Sequence, residues 1–359
     1  MFYRLITAIR QINPHVNLNC VGDDWQAING FAGSDLRFFR DFDRYLGQAV
    51  HIELLNNYRS QKAIVEAGNA LMRDLGTPGR VALSSTHESG KVYLCCAEDF
   101  SPTDCEKEKY GSDYISPMVR RIIFKQQKRR HSVALLDRKS MVSRDISTGE
   151  EDFEERTRKL SALEKNMKLL FPGAELASST VHSFKGLEKD AVILIDVTDK
   201  CFPLIHPRWR FSRILGESIE KIIDEEKRLF YVAVTRPKCD LYLLTESGYE
   251  SLFLNPIRTF AEVKEIDWWE YPSDLDMDSF SIEVGNQSGR GISPTQDIRD
   301  LLNKAGFHWA PNQKVWCKNI DKVDYSATQL QQEEWYINAR GIIVSIYDSD
   351  RKVVDEFIK

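Results

Sequence analysis

Short apolar runs alternate along the chain with stretches in which apolar residues recur at helical spacing. The apolar runs lie at residues 17–21, 51–55, 92–96, 133–136, 191–196 and 241–245. Helical spacing is found near residues 35–46, 60–75, 113–130, 152–170 and 217–236. Unbroken apolar strands that alternate with helices are typical of a parallel sheet covered by helices on both faces. The pattern therefore predicts an α/β fold for most of the chain.

The pattern changes in the last quarter of the sequence. Residues 261–291 are acidic and then rich in glycine and serine, which predicts a surface arm followed by a linker. Residues 292–359 predict a small α+β domain with two helices and a closing hairpin. Within it, Trp309 and Trp316 stand among lysines. This arrangement indicates either core residues or an accessory contact with DNA or protein.

The composition limits the class of protein. A hydrophobic fraction of 42% and a charged fraction of 29% are ordinary for a globular protein. No apolar run approaches the ~20 residues that a membrane-spanning helix needs. Residues 2–12 have helical spacing without the layout of a signal peptide. We therefore expect a cytoplasmic protein without a membrane partner.

The net charge of −5 does not indicate nucleic-acid binding, although a local groove can bind DNA whatever the total. Two stretches are locally basic. The first runs from Arg120 to Arg130 on a predicted helix, where a solvated face is the simpler interpretation. The second, residues 208–213, interleaves Trp209 with Arg210 and two further arginines. Sites for single-stranded DNA have this character, and the stretch is equally compatible with an ordinary loop.

Seven cysteines are scattered along the chain, with one adjacent pair at Cys95 and Cys96. No CxxC pair and no cysteine–histidine cluster has the spacing of a metal site. We therefore expect reduced thiols and no metal site within the chain.

Four sequence blocks carry the functional signal. In chain order they are VGDDWQAINGFAGSD (21–35), NNYRS (56–60), STVHSFKGLEKD (179–190) and EEKRLFYVAVTR (225–236). In this order they resemble the later motifs of UvrD/Rep-type superfamily 1A DNA helicases, and those of the helicase IV group most of all. The resemblance implies a RecA-like P-loop NTPase fold, with a parallel sheet that has helices on both faces.

The same resemblance implies a domain organisation. Residues 1–47 correspond to a remnant of an incomplete first RecA-like domain. Residues 48–260 correspond to the second RecA-like domain, the C-terminal domain of UvrD-like helicases. The arm at 261–291 and the small α+β domain at 292–359 follow.

Three residues are implied to be catalytic. Gln26 would sense the γ-phosphate, because an amide can bond both a phosphate oxygen and a water. Arg59 would bind the γ-phosphate with its two-pronged guanidinium. Arg236 would be the arginine finger, a type of residue that contributes ~10³–10⁵ to the rate of phosphoryl transfer.

Three further residues are implied to contact the nucleotide. Tyr58 would stack on adenine, since a phenol ring offers a flat apolar face. Gly186 would allow close approach of the backbone. Glu188 would accept a hydrogen bond from a ribose hydroxyl.

Contacts with single-stranded DNA are implied at other positions of the same blocks. Phe31 lies where relatives stack an aromatic ring on a base, an interaction worth ~1–3 kcal/mol. Thr180, His182 and Ser183 would donate to DNA phosphate or couple that contact to the nucleotide site.

The first motifs of the family do not occur in these 359 residues. The Walker A pattern G-x-x-x-x-G-K-[ST] is absent, and no Asp-Glu pair of a Walker B motif follows an apolar strand ahead of Gly22. ATP with Mg²⁺ is therefore implied only if a separately encoded N-terminal helicase half completes the site. We expect the polypeptide alone to hydrolyse ATP at background rate.

Three functions stay open on the sequence. The first is the C-terminal part of an ATP-dependent 3′–5′ DNA helicase or translocase that acts in DNA repair or recombination. The second is a non-catalytic DNA-binding or regulatory remnant, and the third is a truncated inactive helicase. For all three we expect exposed apolar surface along residues 1–47, since the strand predicted at 17–21 would lack its neighbours.

Overall fold

The computed structural model describes most of the chain. The described residues are 2–28, 30, 35–75, 81–86, 88–143, 157–205, 218–275, 279–287, 294–311, 313–349 and 351–359. The helices are α1 (Phe2–Ile12), α2 (Arg37–Arg40), α3 (Phe42–Leu46), α4 (Lys62–Met72), α5 (Asp104–Tyr110), α6 (Ile115–Lys128), α7 (Leu160–Leu170), α8 (Ile219–Val234), α9 (Leu254–Phe260), α10 (Pro294–Asp297), α11 (Arg299–Lys304), α12 (Ala327–Gln332) and α13 (Glu334–Asn338).

The strands of the described residues form two large sheets and two short pairs. The strands are β1 (Asn56–Asn57), β2 (Leu83–Ser84), β3 (Lys91–Cys96), β4 (Val133–Asp137), β5 (Met141–Ser143), β6 (Thr157–Lys159), β7 (Leu176–Thr180), β8 (Lys189–Leu194), β9 (Pro237–Thr245), β10 (Lys264–Glu265), β11 (Ser279–Asn286), β12 (His308–Ala310), β13 (Val315–Asp321), β14 (Ile342–Tyr347) and β15 (Val353–Ile358).

The central sheet has the strand order β10-β3-β9-β8-β4-β7, and all of its pairs are parallel. Its inner strands coincide with four of the predicted apolar runs, and residues 191–194 of β8 are fully buried. The prediction of an α/β fold with a parallel sheet is confirmed. Such strands read as continuous apolar runs because both of their faces are covered.

Helices cover the two faces of this sheet with separate cores. On one face, α4, α8 and α9 supply residues such as Ile64, Phe230 and Ile257. On the other face, α6 and α7 supply residues such as Val119 and Leu163. Burial of large aliphatic and aromatic side chains on both faces is the main contribution to the stability of this layer arrangement.

The basic helix α6 and the acidic segment at 270–274 were both expected to face solvent. In the structure they form ion pairs with each other. The Arg120 guanidinium is fully buried, and its Nε lies 2.6 Å from Oδ1 of Asp274. Lys125 Nζ lies 3.0 Å from Oε2 of Glu270. The solvated-face interpretation of this basic helix is therefore wrong at Arg120. The acidic segment packs on the helix because its carboxylates compensate the basic charges.

The C-terminal sheet has the order β12-β13-β11-β14-β15 and is antiparallel throughout. Its central strand, β11, lies at residues that the sequence assigned to a linker, so the linker interpretation is wrong there. The glycine and serine residues around this strand made the sequence resemble a linker, although Ile282 and Val284 are buried. Trp316 lies in the core of this unit, while Trp309 is 40% exposed at its edge.

The C-terminal unit packs against α6 and α7 of the central unit. Arg120 Nη2 donates to the carbonyl of Ser349 over 3.2 Å. Gln313 Nε2 donates to the carbonyl of Lys168 over 3.0 Å. Arg120 therefore contacts both the acidic segment and the C-terminal unit.

Two of the predicted strands do not form. Residues 17–21 and 51–55 are irregular, and β1 is limited to Asn56–Asn57. Val21, Val50 and Leu54 are each more than four-fifths exposed. An apolar run becomes a strand when a neighbour pairs with its backbone along its length. Among the described residues neither run has such a neighbour, although the carbonyl of Leu55 accepts from the N–H of Leu83 over 2.8 Å. Within residues 1–47, exposed Val21 agrees with the expected exposed apolar surface, although the strand predicted to carry that surface does not form.

The N-terminal helices form a small aromatic cluster of their own. The ring of Tyr3 stacks on Phe38 with centroids 4.7 Å apart and meets Tyr45 edge-on at 5.9 Å. In the described part of the chain, no helix has both the length and the apolar character that a bilayer crossing requires.

Candidate functional site

The topology of the central sheet brings two of the sequence blocks together. Glu188 immediately precedes β8, and Arg236 immediately precedes β9. Since β8 and β9 are parallel neighbours, both residues lie at the edge where strands begin. Ser60 Oγ donates to the carbonyl of Pro237 over 2.8 Å and fixes the NNYRS block at the same edge. We call Arg59, Glu188, Arg236 and Lys238 the amino-edge cluster.

Glu188 lies between two cations of this cluster. Arg59 Nε is 2.5 Å from Oε2 of Glu188, and Lys238 Nζ is 3.2 Å from Oε1. The hydrogen bond from Lys238 and the positive charge of Arg59 lower the pKa of Glu188 below its usual range. The carboxylate is therefore ionised at neutral pH. The three side chains are each about two-fifths exposed, so a ligand can reach them.

Arg236 is buried, unlike the rest of the cluster. Its side chain donates to the carbonyl of Val232 over 2.8 Å, to the carbonyl of Leu187 over 3.4 Å and to Thr235 Oγ1 over 3.1 Å. Burial, reinforced by the charge of Arg59, lowers the pKa of Arg236 to about 10. Two arginines that disfavour each other's charge form a site at which an anion is favourable.

Tyr58 and Gly186 border the cluster. The Tyr58 side chain is 78% exposed, so its ring is accessible to a flat ligand. Gly186 has φ +89, a backbone conformation that glycine adopts without strain. Among the described atoms, none lies within 4 Å of a Cβ built at this position. The glycine therefore serves the turn rather than a close contact within the chain.

The first sequence block docks on α8 beside this cluster. The Trp25 ring meets Tyr231 edge-on with centroids 5.4 Å apart. Lys185 Nζ donates to the carbonyl of Gln26 over 2.9 Å, and Gln26 Nε2 donates to Oδ2 of Asp23 over 2.6 Å. The charge of Asp23 in turn acts on Arg236. Asp23 thus hydrogen-bonds Gln26 and also influences the predicted arginine finger electrostatically.

Three of the residues predicted to contact DNA, Thr180, His182 and Ser183, lie at the end of β7, at the other edge of the sheet. Thr180 ends β7, and its Oγ1 donates to Ser183 Oγ over 3.1 Å. Burial, together with the charge of Arg138, lowers the pKa of His182 below its usual value. His182 is therefore neutral at physiological pH, and a neutral imidazole donates from one nitrogen only.

Two segments connect the two edges. Residues 181–188 lead from the end of β7 to the start of β8, and so they cross the sheet. The helix α8 crosses it too, because Glu226 lies beside Arg138 while Arg236 follows the C-terminal end of the helix. Ten helical residues span about 15 Å. The loop and the helix therefore provide continuous structure from one edge to the other.

The predicted residues Phe31, Trp209 and Arg210 lie outside the described residues. The structure therefore tests none of these three predicted DNA contacts.

Comparisons with known proteins agree with the motifs. The family model of the UvrD-like helicase C-terminal domain matches residues 150–248. DNA helicase IV of Escherichia coli is 26% identical over 259 residues, which cover 71% of this chain and 33% of that protein. A probable DNA helicase of Mycoplasma pneumoniae is 27% identical over 253 residues, covering 68% of this chain and 41% of that protein. ATP-dependent DNA helicase UvrD1 of Mycobacterium leprae is 30% identical over 140 residues, covering 38% of this chain and 17% of that protein.

The chain contains a UvrD-like helicase C-terminal domain and is similar to the C-terminal portion of UvrD/Rep-type superfamily 1A DNA helicases.

The extent of the match qualifies this assignment. The chain spans about a third of the length of the first relative and about two-fifths of the second. The solved C-terminal domain of a possible DNA helicase from Lactobacillus plantarum covers 58% of this chain and 99% of its own, at 15% identity and a TM-score of 0.32. A TM-score of this size adds nothing to the assignment of the fold.

Within this UvrD-like chain, sequence reasoning missed two parts of the site. Lys238, the second cation on Glu188, follows Arg236 by two positions, so the spacing in TRPK was the available signal. The ion pair of Arg138 with Glu226 was also missed, and Arg138 Nη2 lies 2.8 Å from Oε1 of Glu226. Their separation along the chain gives no signal that these two side chains meet.

Proposed function

We propose that this chain supplies the C-terminal half of the nucleotide and DNA sites of an ATP-dependent 3′–5′ DNA helicase or translocase. Residues 48–260 serve as its second RecA-like domain. The observation that carries the proposal is the amino-edge cluster, in which Arg59 and Lys238 share the carboxylate of Glu188 beside the buried Arg236. Repair or recombination of DNA in the cytoplasm is the setting that the family relationship favours.

The charge balance of the cluster favours a phosphate ligand. Arg59, Arg236 and Lys238 bring three positive charges, while Glu188 and the nearby Asp23 bring two negative ones. A guanidinium presents its donors in a planar fork that matches phosphate oxygens. We assign the γ-phosphate to Arg59 and Arg236 on this ground.

The neighbouring residues fit the rest of a nucleotide. The exposed ring of Tyr58 can stack on adenine, and the Glu188 carboxylate can accept from a ribose hydroxyl. The turn that Gly186 permits brings Glu188 to the strand edge. Gln26 completes the phosphate side as a sensor, held by Lys185 through its backbone.

The cluster fits the phosphates of ATP and does not fit the magnesium ion. Its one carboxylate already accepts from two cations, whereas Mg²⁺ is held by carboxylates and phosphate oxygens. The cradle of backbone N–H groups and the metal-binding carboxylates must therefore come from an N-terminal helicase half. Carboxylates of that half would hold Mg²⁺, which would supply neutralisation of phosphate charge.

The opposite edge of the sheet serves single-stranded DNA in this proposal. The hydroxyls of Thr180 and Ser183 and the neutral ring of His182 can donate to backbone phosphates. Phe31, Trp209 and Arg210 add stacking and charge by analogy with other single-strand sites. The loop 181–188 and α8 then couple DNA contacts to Arg236.

Fluorescence anisotropy with labelled oligothymidylate and with a fluorescent ATP analogue tests the proposal on the purified chain. We expect both ligands to bind, the analogue weakly, and ATP turnover with DNA present to stay at background. Arg59→Ala should weaken the analogue without affecting the oligonucleotide. Arg299→Ala, an exposed arginine of the C-terminal unit, is the matched control.

The same experiment separates the alternatives. Tight oligonucleotide binding together with no detectable binding of the analogue would favour a non-catalytic DNA-binding remnant. A chain that binds neither ligand and unfolds without a cooperative transition would favour a truncated inactive product. Turnover at ordinary motor rates by the chain alone would contradict the need for an N-terminal half.

A further inference from the structure

Three side chains with metal-binding atoms meet at the edge of the sheet where strands end. Asp137 ends β4, and Asp196 and Cys201 lie in the segment that follows the neighbouring strand β8. One ligand atom of each lies within 4.8 Å of the other two. Asp137 is fully buried, while Asp196 and Cys201 are 7% and 6% exposed. The group is separate from the amino-edge cluster, which lies at the opposite ends of these strands.

One oxygen of this group has no protein partner. Asp137 Oδ1 accepts from the backbone N–H of Arg138 over 2.6 Å, but the buried Oδ2 accepts no hydrogen bond. An unsatisfied carboxylate oxygen in a protein interior is costly, and native structures contain few of them. The atom therefore indicates a bound cation or proton in the space that it faces.

Two carboxyl groups and a thiol therefore lie together in the interior, where each can offer a ligand atom. A divalent cation between them would satisfy Oδ2 of Asp137.

We infer that Asp137, Asp196 and Cys201 bind a zinc ion. The thiol decides between metals, because magnesium and calcium prefer oxygen ligands alone, whereas zinc accepts sulfur together with carboxylate oxygen. Zinc–ligand bonds of about 2.0–2.3 Å place tetrahedral ligand atoms about 3.5 Å apart, so a modest closing of the group is enough.

The proposed ion has a structural role. A ligand set that is more than nine-tenths buried leaves little access for a substrate, so a water would take the fourth position and the ion would contribute to folding. The ion would join the ends of two central strands through side chains that otherwise repel each other. On binding, the thiol proton and any carboxyl proton leave to solvent.

Metal analysis of the purified full-length chain tests the inference. We expect about one zinc per chain after dialysis and a lower melting temperature after treatment with a strong chelator, restored by zinc alone. Cobalt added to the stripped protein should give the thiolate-to-cobalt charge-transfer band that reports a Co–S bond.

Matched variants connect the signal to the three residues. Asp137→Asn and Cys201→Ser should each weaken zinc binding by at least about tenfold, since even the loss of a residue that supports a ligand costs about 10- to 100-fold. Cys317→Ser, a buried cysteine of the C-terminal sheet, is the control and should retain both the zinc and the cobalt band.

Two outcomes would overturn the inference. The first is a wild-type chain that retains no zinc, gives no cobalt band and melts at the same temperature with zinc or chelator, which would assign a shared proton to the carboxyl pair. The second is a cobalt band that Cys201→Ser leaves intact or that Cys317→Ser removes. If Cys201→Ser does not fold, the wild-type cobalt spectrum and metal content still decide. Neither outcome bears on nucleotide binding at the amino-edge cluster.

Discussion

The two ends of the central parallel sheet have opposite charge imbalances. At the end where strands begin, Arg59 and Lys238 share the carboxylate of Glu188 beside the buried Arg236. At the end where strands finish, Asp137 and Asp196 are buried together. One end has more cations than acids and the other has more acids than cations. Each imbalance indicates a ligand of the opposite sign.

The difference in burial determines what each imbalance does. Arg59 and Glu188 are more than a third exposed, so water screens their interaction and it contributes little to stability. Asp137 is fully buried, so nothing screens its charge, and a proton or a cation must compensate it. The exposed groups at the amino edge are therefore available to bind a ligand, whereas the buried carboxyl groups at the other edge affect folding.

The largest expected effect concerns the buried arginine. Arg236→Gln should weaken binding of a triphosphate by about 2–3 kcal/mol, roughly 30- to 150-fold, since a hydrogen bond to a charged group is worth about 1.5–3 kcal/mol. Isothermal titration with tripolyphosphate measures the change. Arg299→Gln should leave the affinity unaltered, and an equal loss in that control would refute a specific role of Arg236.

Salt should weaken ligand binding at the two ends of the sheet to different extents, an effect smaller than that of Arg236→Gln. Raising the ionic strength from about 0.1 M to 1 M shortens the Debye length from about 10 Å to 3 Å. We expect tripolyphosphate affinity to fall by about tenfold and zinc affinity by less than about twofold, because only the first ligand binds at an exposed cluster. Equal salt dependence of the two ligands would contradict the contrast in burial.

Removing the shared carboxylate should have an effect of opposite sign. Glu188→Gln leaves Arg59 and Lys238 without their internal anion, so tripolyphosphate should bind about 3- to 10-fold more tightly, a gain of about 1 kcal/mol. The same titration measures it. Glu262→Gln, which removes an exposed acid paired with Lys264, should have no effect. Weaker binding in Glu188→Gln would show that the carboxylate does not compete with phosphate.

The smallest effect concerns stability. Because burial lowers the pKa of Arg236 to about 10, the folded chain binds this proton less tightly than the unfolded chain. The charged arginine therefore opposes folding below about pH 10, and the free energy of unfolding rises as the pH increases from there towards the ordinary pKa of arginine.

Arg236→Met should accordingly raise the free energy of unfolding by about 1 kcal/mol at neutral pH, since the lost hydrogen bonds offset part of the relief. Urea denaturation measures it, with Arg299→Met as the unchanged control. A loss of several kcal/mol would mean that the three hydrogen bonds of Arg236 outweigh its desolvation.

The sequence predicted the inner strands of the sheet and failed at its margins, for one physical reason. The runs at 133–136 and 191–196 became strands because parallel neighbours pair with them. The runs at 17–21 and 51–55 did not become strands, because no described strand pairs along them. The sequence of a run does not show whether such a partner exists. Strand β11 was missed because its glycine and serine neighbours concealed two buried positions.

The candidate site shows the same limit. The motifs predicted Arg59, Glu188 and Arg236 as site residues. Their proximity in the fold depends on the adjacency of β8 and β9, which the motifs do not show. Lys238 was overlooked within a recognised motif. The group of Asp137, Asp196 and Cys201 could not be predicted at all, because its members come from two strand ends without metal-site spacing.

The central claim is that Arg59 and Arg236 bind the same phosphate-bearing ligand. Nitrogen–proton NMR spectra of the arginine Nε–H groups, recorded while tripolyphosphate is added, test it most directly. We predict that the Arg59 and Arg236 signals shift together with one dissociation constant while the Arg299 signal stays in place. Signals of Arg59 and Arg236 that remain unmoved at saturating ligand, or that shift with different constants, would contradict it.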